Sequence, residues 1–316
     1  NTSFIGCTPN EDWGLWNFNV YLNQRHLAFG LLIAALVLWY YLDLVEAGCS
    51  HSEKGLAWMK NRLFSAEAWK MRNPEGALAA GLALGLTAFW NGAAVIGGLL
   101  ILLGFAVFSD GKLDYLATAV TAVLLSVLQS KVFIRGSAVE AGFYWGFISE
   151  DKSPAGVLWF LIQMSGIFFA GAVLLLPLLK KRLHRVLTVS CLFPVVFAFC
   201  FSLTPDITVN HKYIMISYAF LAVLWAGVLT GLWKGKDGSR RSAAVIRRAA
   251  AVLLAVCLTA TGIYDFVVIL RNNGPGHRVT VNMESTLTDW LPEHLHTEHL
   301  LLTPEYSMSE TTMSRV

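Results

Sequence analysis

GALAAGLALGLTAFWNGAAVIGGLLILLGFAVFS, residues 76–109, runs for 34 positions without a charged side chain. As one α-helix it would be about 51 Å long, against a bilayer hydrocarbon core of about 30 Å. Two shorter helices turning at Trp90-Asn91-Gly92 fit that thickness better. The choice also decides on which side of a membrane every later loop falls, so the basic residues give a separate check. With a hairpin, 16 of the 24 lysines and arginines share one side, in segments 54–72, 112, 180–185 and 234–248, and 8 lie opposite. With a single span the split becomes 12 to 12. Lysine and arginine concentrate in cytoplasmic loops, so the hairpin is the expectation.

Working outward, apolar runs of comparable length recur along a chain that is 55% hydrophobic and 14% charged, with a mean hydropathy of +0.55. That composition describes an all-α polytopic membrane protein. About eight spans are expected, near 27–45, 76–90, 93–109, 113–128, 155–179, 186–203, 213–233 and 249–270. The clusters KKRLHR (180–185) and KGKDGSRR (234–241) mark cytoplasmic loops, which puts both chain ends outside a plasma membrane. The net charge of +3 reports this orientation, and no basic patch interleaved with aromatics points to nucleic acid. Membrane lipids are the expected surroundings. The five cysteines form no CxxC pair and read as small core residues.

Between the spans the composition changes. Residues 1–26 form a polar, aromatic extracytoplasmic segment, with Trp13, Trp16, Phe18 and Tyr21 ahead of Asn23-Gln24-Arg25-His26. Segment 46–75 carries five basic residues beside Leu56, Met59, Leu63 and Ala66 at helical spacing, the pattern of a helix lying in the membrane interface. In the loop 129–154, Phe143, Tyr144, Trp145 and Phe147 precede Glu150 and Asp151, which predicts a re-entrant or surface-lying stretch. After Arg271, the turn residues Asn272-Asn273-Gly274-Pro275-Gly276 open a segment, 271–316, that reads as the start of an extracytoplasmic α/β domain. It has a helix near 284–291 and a short strand at 299–302, and it stops soon after a capping-box pattern at 307–310; a piece of a longer protein is the expectation.

Candidate chemistry gathers in the outer loops. Asp206-Ile-Thr-Val-Asn-His-Lys-Tyr213 sets Asn210, His211 and Lys212 at a membrane–water boundary. Arg25-His26 and Gln129-Ser130-Lys131, with Arg135 beyond, fall on the same predicted face. Basic groups against the general charge bias are what a phosphate site requires, although lysine at a span end also serves as a snorkelling anchor. Asp265, in the outer part of the last span, reads as a partner for an outer-face cation. The spacing of His294, His296 and His299 suits no single helical face, so no metal site is expected there.

The stretches LNQRHLAFG (22–30), FWNGAAVIGGLL (89–100), LQSKVF (128–133), VNHKY (209–213) and HLLLTPEY (299–306) resemble the C-terminal part of bacterial GT-C superfamily glycosyltransferases. That resemblance implies transfer of a sugar from a polyprenyl-phosphate donor on the outer membrane face. It also implies a base in the first large outer loop and cations on later outer loops that hold the donor phosphate. By it, the substrate-binding candidates are Arg25, His26, Gln129, Lys131, Arg135, Asn210, His211 and Lys212. The family's acidic loop has no counterpart here, because Glu11 and Asp12 precede the first span. The catalytic loop is therefore expected outside this chain. No cofactor is identifiable, and the resemblance leaves a divalent metal open. A transporter or flippase, whose glycine-rich helices slide, and a scaffold without chemistry are the competing expectations.

Overall fold

Two asparagines and a proline partition the uncharged stretch. In the computed structural model, which describes residues 20, 24–133, 141–235, 241–272, 290 and 293–294, Asn73 accepts a hydrogen bond from Gly76 N–H and Pro74 opens helix α3, Pro74–Leu86. Proline suits a first helical turn, where its missing N–H has no partner to lose. A 3-10 turn, Thr87–Phe89, follows, and Asn91 Oδ1 then caps Ala94 N–H at 3.0 Å to start α4, Gly92–Phe108.

The described helices are α1, Arg25–Cys49; α2, Gly55–Phe64; α3 and α4; α5, Lys112–Phe133; α6, Pro154–Ser165; α7, Phe168–Leu175; α8, Arg182–Cys200; α9, His211–Lys234; and α10, Arg241–Asn272. Among described residues, α1, α5, α8, α9 and α10 are long and apolar enough to cross a membrane, and α6 with α7 makes a sixth if the bent pair is one span. The expectation of eight is not met by that measure, because α3 and α4 are short and the stretch 155–179 is not straight. Gly166, with φ +56°, ends α6, and the chain leaves it at 110°. Glycine tolerates that backbone where other residues do not.

Side-chain contacts fix the helix directions. Phe29, near the start of α1, meets Trp90 edge-on at 5.3 Å, and Phe89 meets Phe133, the last residue of α5, at 5.6 Å. One end of the bundle, the turn end, therefore collects the start of α1, the α3–α4 turn and the finish of α5. At the opposite end, Arg182, opening α8, donates to the carbonyls of Cys49, the last residue of α1, and of His51 and Glu53 beyond it. A β-carbon placed on Gly104 would lie 2.6 Å from Ser190, and one on Gly97 would lie 2.6 Å from Ile216. These approaches run α8 antiparallel to α4 and bring α9 back from the turn end. Small residues let the backbones close up where apolar burial gives helices no drive to associate in lipid.

At the end opposite the turn, α5 is tied to the segment before α3. Asp114 accepts from the N–H groups of Arg72 and Asn73, both at 2.7 Å, while Tyr41 Oη lies 2.6 Å from Thr118 Oγ1 and donates to Asp114 O. Asp114→Ala strands two backbone donors, at about 1–3 kcal/mol for each one left buried. Thermal unfolding in detergent is expected to show a clear loss, with Asp114→Asn recovering part of it.

The small sheet lies mid-chain: β1, Gly142–Phe143, pairs antiparallel with β2, Phe201–Ser202. The α/β start expected at 284–302 falls largely outside the described residues, as do the aromatic segment 1–19 and the capping box at 307–310. The chain divides by contacts into residues 3–266 and 267–316. In the second unit, the Trp290 and His294 rings stack at 4.2 Å, and His294 Nδ1 lies 2.9 Å from Trp290 O.

Candidate functional site at the turn end

Where α8 stops at Cys200 the chain becomes extended, and the loop 141–153 closes on it. Tyr144 N–H donates to Cys200 O and Gly146 N–H to Phe199 O, extending the β1–β2 pairing. Gly146 and Phe147 then take positive φ, +86° and +49°. That conformation is a true outlier for a bulky residue, and it turns the buried Phe147 ring toward Phe199 and Phe160, at 5.6 and 6.3 Å. Lys152 holds the turn, its Nζ donating to Phe147 O at 2.6 Å while lying 5.0 Å above the Tyr144 ring. Trp145 Nε1 donates back to Lys152 O. Asp151 accepts from Ser153 N–H and Oγ, bonds that hold its carboxyl below the usual carboxylate range. Ser153 in turn caps α6 through Gly156 N–H.

The strand after α8 leads into the second half of the site. Asp206 Oδ1 accepts from Thr208 N–H and Oγ1 and so starts the 3-10 turn Ile207–Asn210. Asn210 is buried, and its amide donates to Ala198 O and Phe201 O, at 3.0 and 2.6 Å, clasping the end of α8 to the start of α9. His211 Nδ1 lies 2.6 Å from Thr208 O. A carbonyl only accepts, so Nδ1 carries the proton and donates. Lys212 follows, half-buried, without an ion pair among the described residues, and Tyr213 packs edge-on against Phe197 at 5.2 Å. Removing the clasp with Asn210→Ala leaves two carbonyls to find other donors. A loss of about 1–3 kcal/mol is expected, together with faster amide exchange across 199–212 by mass spectrometry.

His26, Gln129 and Lys131 sit at the same end without joining this cluster. Gln129 Nε2 donates to Gly85 O at 3.3 Å, and Lys131 is exposed on the last turn of α5. The main packing of α5 is on α3 and that of α9 on α8, with α4 touching all of them. His26 is exposed at the start of α1; the side chain of Arg25, and Arg135 altogether, lie outside the described residues. The loop 141–153, by contrast, pairs with Phe201, whose carbonyl also accepts from the Asn210 clasp just before α9.

Sequence reasoning passed over a charged cluster at the other end. Arg62 Nη1 donates to both oxygens of Asp110 at 2.6 Å, His51 Nε2 lies 3.1 Å from Asp110 Oδ2, and both Arg62 and Asp110 are buried. Lys112 Nζ donates to Ala106 O and Ser109 O, filling carbonyls that the end of α4 leaves open. The signal was SDGKLD (109–114), two carboxylates around a glycine where one helix ends and the next begins. Arg62 and His51 neutralise Asp110, and the group serves as a clamp. Among the described residues no group of three or more His, Cys, Asp or Glu side chains is placed to hold a metal.

Long apolar helices running back and forth between two polar ends, with small residues where they touch, define a multi-pass integral membrane protein. No family model, curated protein or solved structure matches the chain.

Proposed function

We propose that this chain is the membrane portion of a GT-C-type glycosyltransferase, and that its turn end faces outward and holds the phosphate of a polyprenyl-linked sugar donor. One observation carries the reading. Helix α9 opens with His211-Lys212 and has no acidic residue in its first turn. A positive side chain such as Lys212 at a helix N-terminus opposes the macrodipole, whereas an anion there is favoured by the dipole and by the lysine together. The lysine stands on a braced turn, because Asn210 ties that turn to the end of α8 and to Phe201, which pairs with β1. Lys212 is the phosphate-side residue, with the buried His211 beside it, and Arg25, His26, Gln129, Lys131, Arg135 and Asn210 are the further substrate-binding candidates. Segments 54–72, 112, 180–185 and 234–248, which carry 16 of the 24 lysines and arginines, are cytoplasmic in this reading.

Binding of a polyprenyl phosphate to the purified protein tests it. Saturable binding that weakens at least tenfold in Lys212→Ala is the expected result. Binding that is absent, or indifferent to that change, overturns the reading.

A further inference from the structure

Helix α2 is buried along one narrow stripe. Trp58 donates from Nε1 to Gly48 O at 2.9 Å and stacks over Phe108, and Arg62 is locked to Asp110 at 2.6 Å. At 100° per residue these two positions lie about 40° apart on the helix. Leu56, Leu63 and Phe64 fall on the opposite arc and Met59 at its edge, with Leu56 84% and Phe64 76% exposed and Leu63 half-buried. Trp69 and Met71, beyond the helix, are exposed as well. The helix therefore turns its apolar side away from the protein, and its polar anchor faces inward. In a water-soluble protein that arrangement would expose a costly surface. The stripe packs where α1 and α4 end, which is the level of a membrane–water boundary if those helices lie in the bilayer.

The charges around this arc select the kind of membrane. Lys54 precedes α2, and Lys60 sits within the apolar arc, where a long stem lets its ammonium reach headgroups while its methylenes stay in lipid. Neither makes an ion pair among the described residues, whereas Lys70 and Arg72 are engaged by Glu67 at 2.7 and 2.6 Å. Lys180 and Lys181, exposed just before α8, stand at the same end of the bundle. We infer that α2 is an interfacial anchor that sinks Leu56, Met59, Leu63 and Phe64 into the acyl layer and binds acidic phospholipid headgroups through Lys54 and Lys60. The Arg62–Asp110 clamp sets its rotation, so that the apolar arc points into lipid. This assignment does not depend on the donor-binding reading, since it concerns the opposite end of the bundle.

Two measurements on the whole chain in nanodiscs test it. In a cysteine-free background, nitroxides at Leu56→Cys and Phe64→Cys are expected to be relaxed by oxygen and not by a water-soluble nickel chelate. Relaxation by the chelate, or by neither agent, places the arc in water or under another protein and overturns the proposal. Replacing a third of the phosphatidylcholine by phosphatidylglycerol is expected to raise the melting temperature of wild type. Lys54→Gln with Lys60→Gln should lose most of that rise while melting normally in phosphatidylcholine alone. A rise of equal size in the double variant, or none in wild type, overturns the headgroup assignment.

Discussion

Arg62→Ala is expected to remove about 3–5 kcal/mol of stability, the cost of leaving a buried carboxylate without its partner. Both side chains of the Arg62–Asp110 pair are nearly inaccessible, 5% and 8% exposed, so little solvent screening relieves the stranded Asp110. His51 remains on Asp110 Oδ2 in the variant, but it is the more exposed group of the three and charged only when protonated. Asp110→Ala should be costly for the mirror-image reason, a guanidinium left in the same pocket. Replacing the pair by Arg62→Met with Asp110→Leu should recover a good part of the loss, because the desolvation of both charges is then removed as well. Thermal unfolding in a mild detergent measures all three. If Arg62→Ala melted like wild type, the clamp would not exist as described, and the fixed rotation of α2 would go with it.

Gly104→Val is expected to be nearly as damaging, by about 3 kcal/mol, the upper end of the range for overpacking. An added β-carbon meets Ser190 Cα, Cβ and Oγ all at 2.6 Å, and a backbone atom among them cannot rotate away. Helices α4 and α8 must separate, which also moves the end of α8 that carries the loop 141–153. Gly227, in the exposed part of α9, has nothing within 4 Å of the same virtual atom. Gly227→Ala should therefore be neutral or slightly stabilising, since alanine favours a helix by roughly 1 kcal/mol over glycine. Equal tolerance at the two glycines would contradict the antiparallel packing of α4 on α8.

The parts of this architecture that depend on hydropathy and turn chemistry were legible in the sequence. The uncharged stretch announced its break at Trp90-Asn91, because asparagine is a strong N-cap and Gly92 follows it. The long spans announced themselves by length. The bend at Gly166 did not, because one glycine in an apolar run looks the same whether it packs, as Gly104 does, or takes a positive φ. The Arg62–Asp110 pair joins residues 48 apart, and periodicity carries no information on which cation a distant carboxylate will meet. For the same reason the aromatic run 143–147 predicted a re-entrant or surface-lying stretch but not its pairing with Phe201, a long-range register that depends on where α8 ends. At the turn end, His211 and Lys212 stood out by type. Asn210 stood beside them as a candidate ligand, and the structure makes it the clasp that fixes the turn they stand on.

We propose that the turn end, and within it the segments 141–153 and 201–213, receives a lipid-linked phosphate. Photo-crosslinking with a polyprenyl phosphate carrying a diazirine beside its headgroup, followed by peptide mapping, tests it most directly. Adducts confined to these two segments and the neighbouring starts of α1 and α4, competed away by unlabelled polyprenyl phosphate and reduced in Lys212→Ala, are the predicted result. Adducts that map to the Arg62–Asp110 end, or that spread along the lipid-facing helices and resist competition, would contradict it.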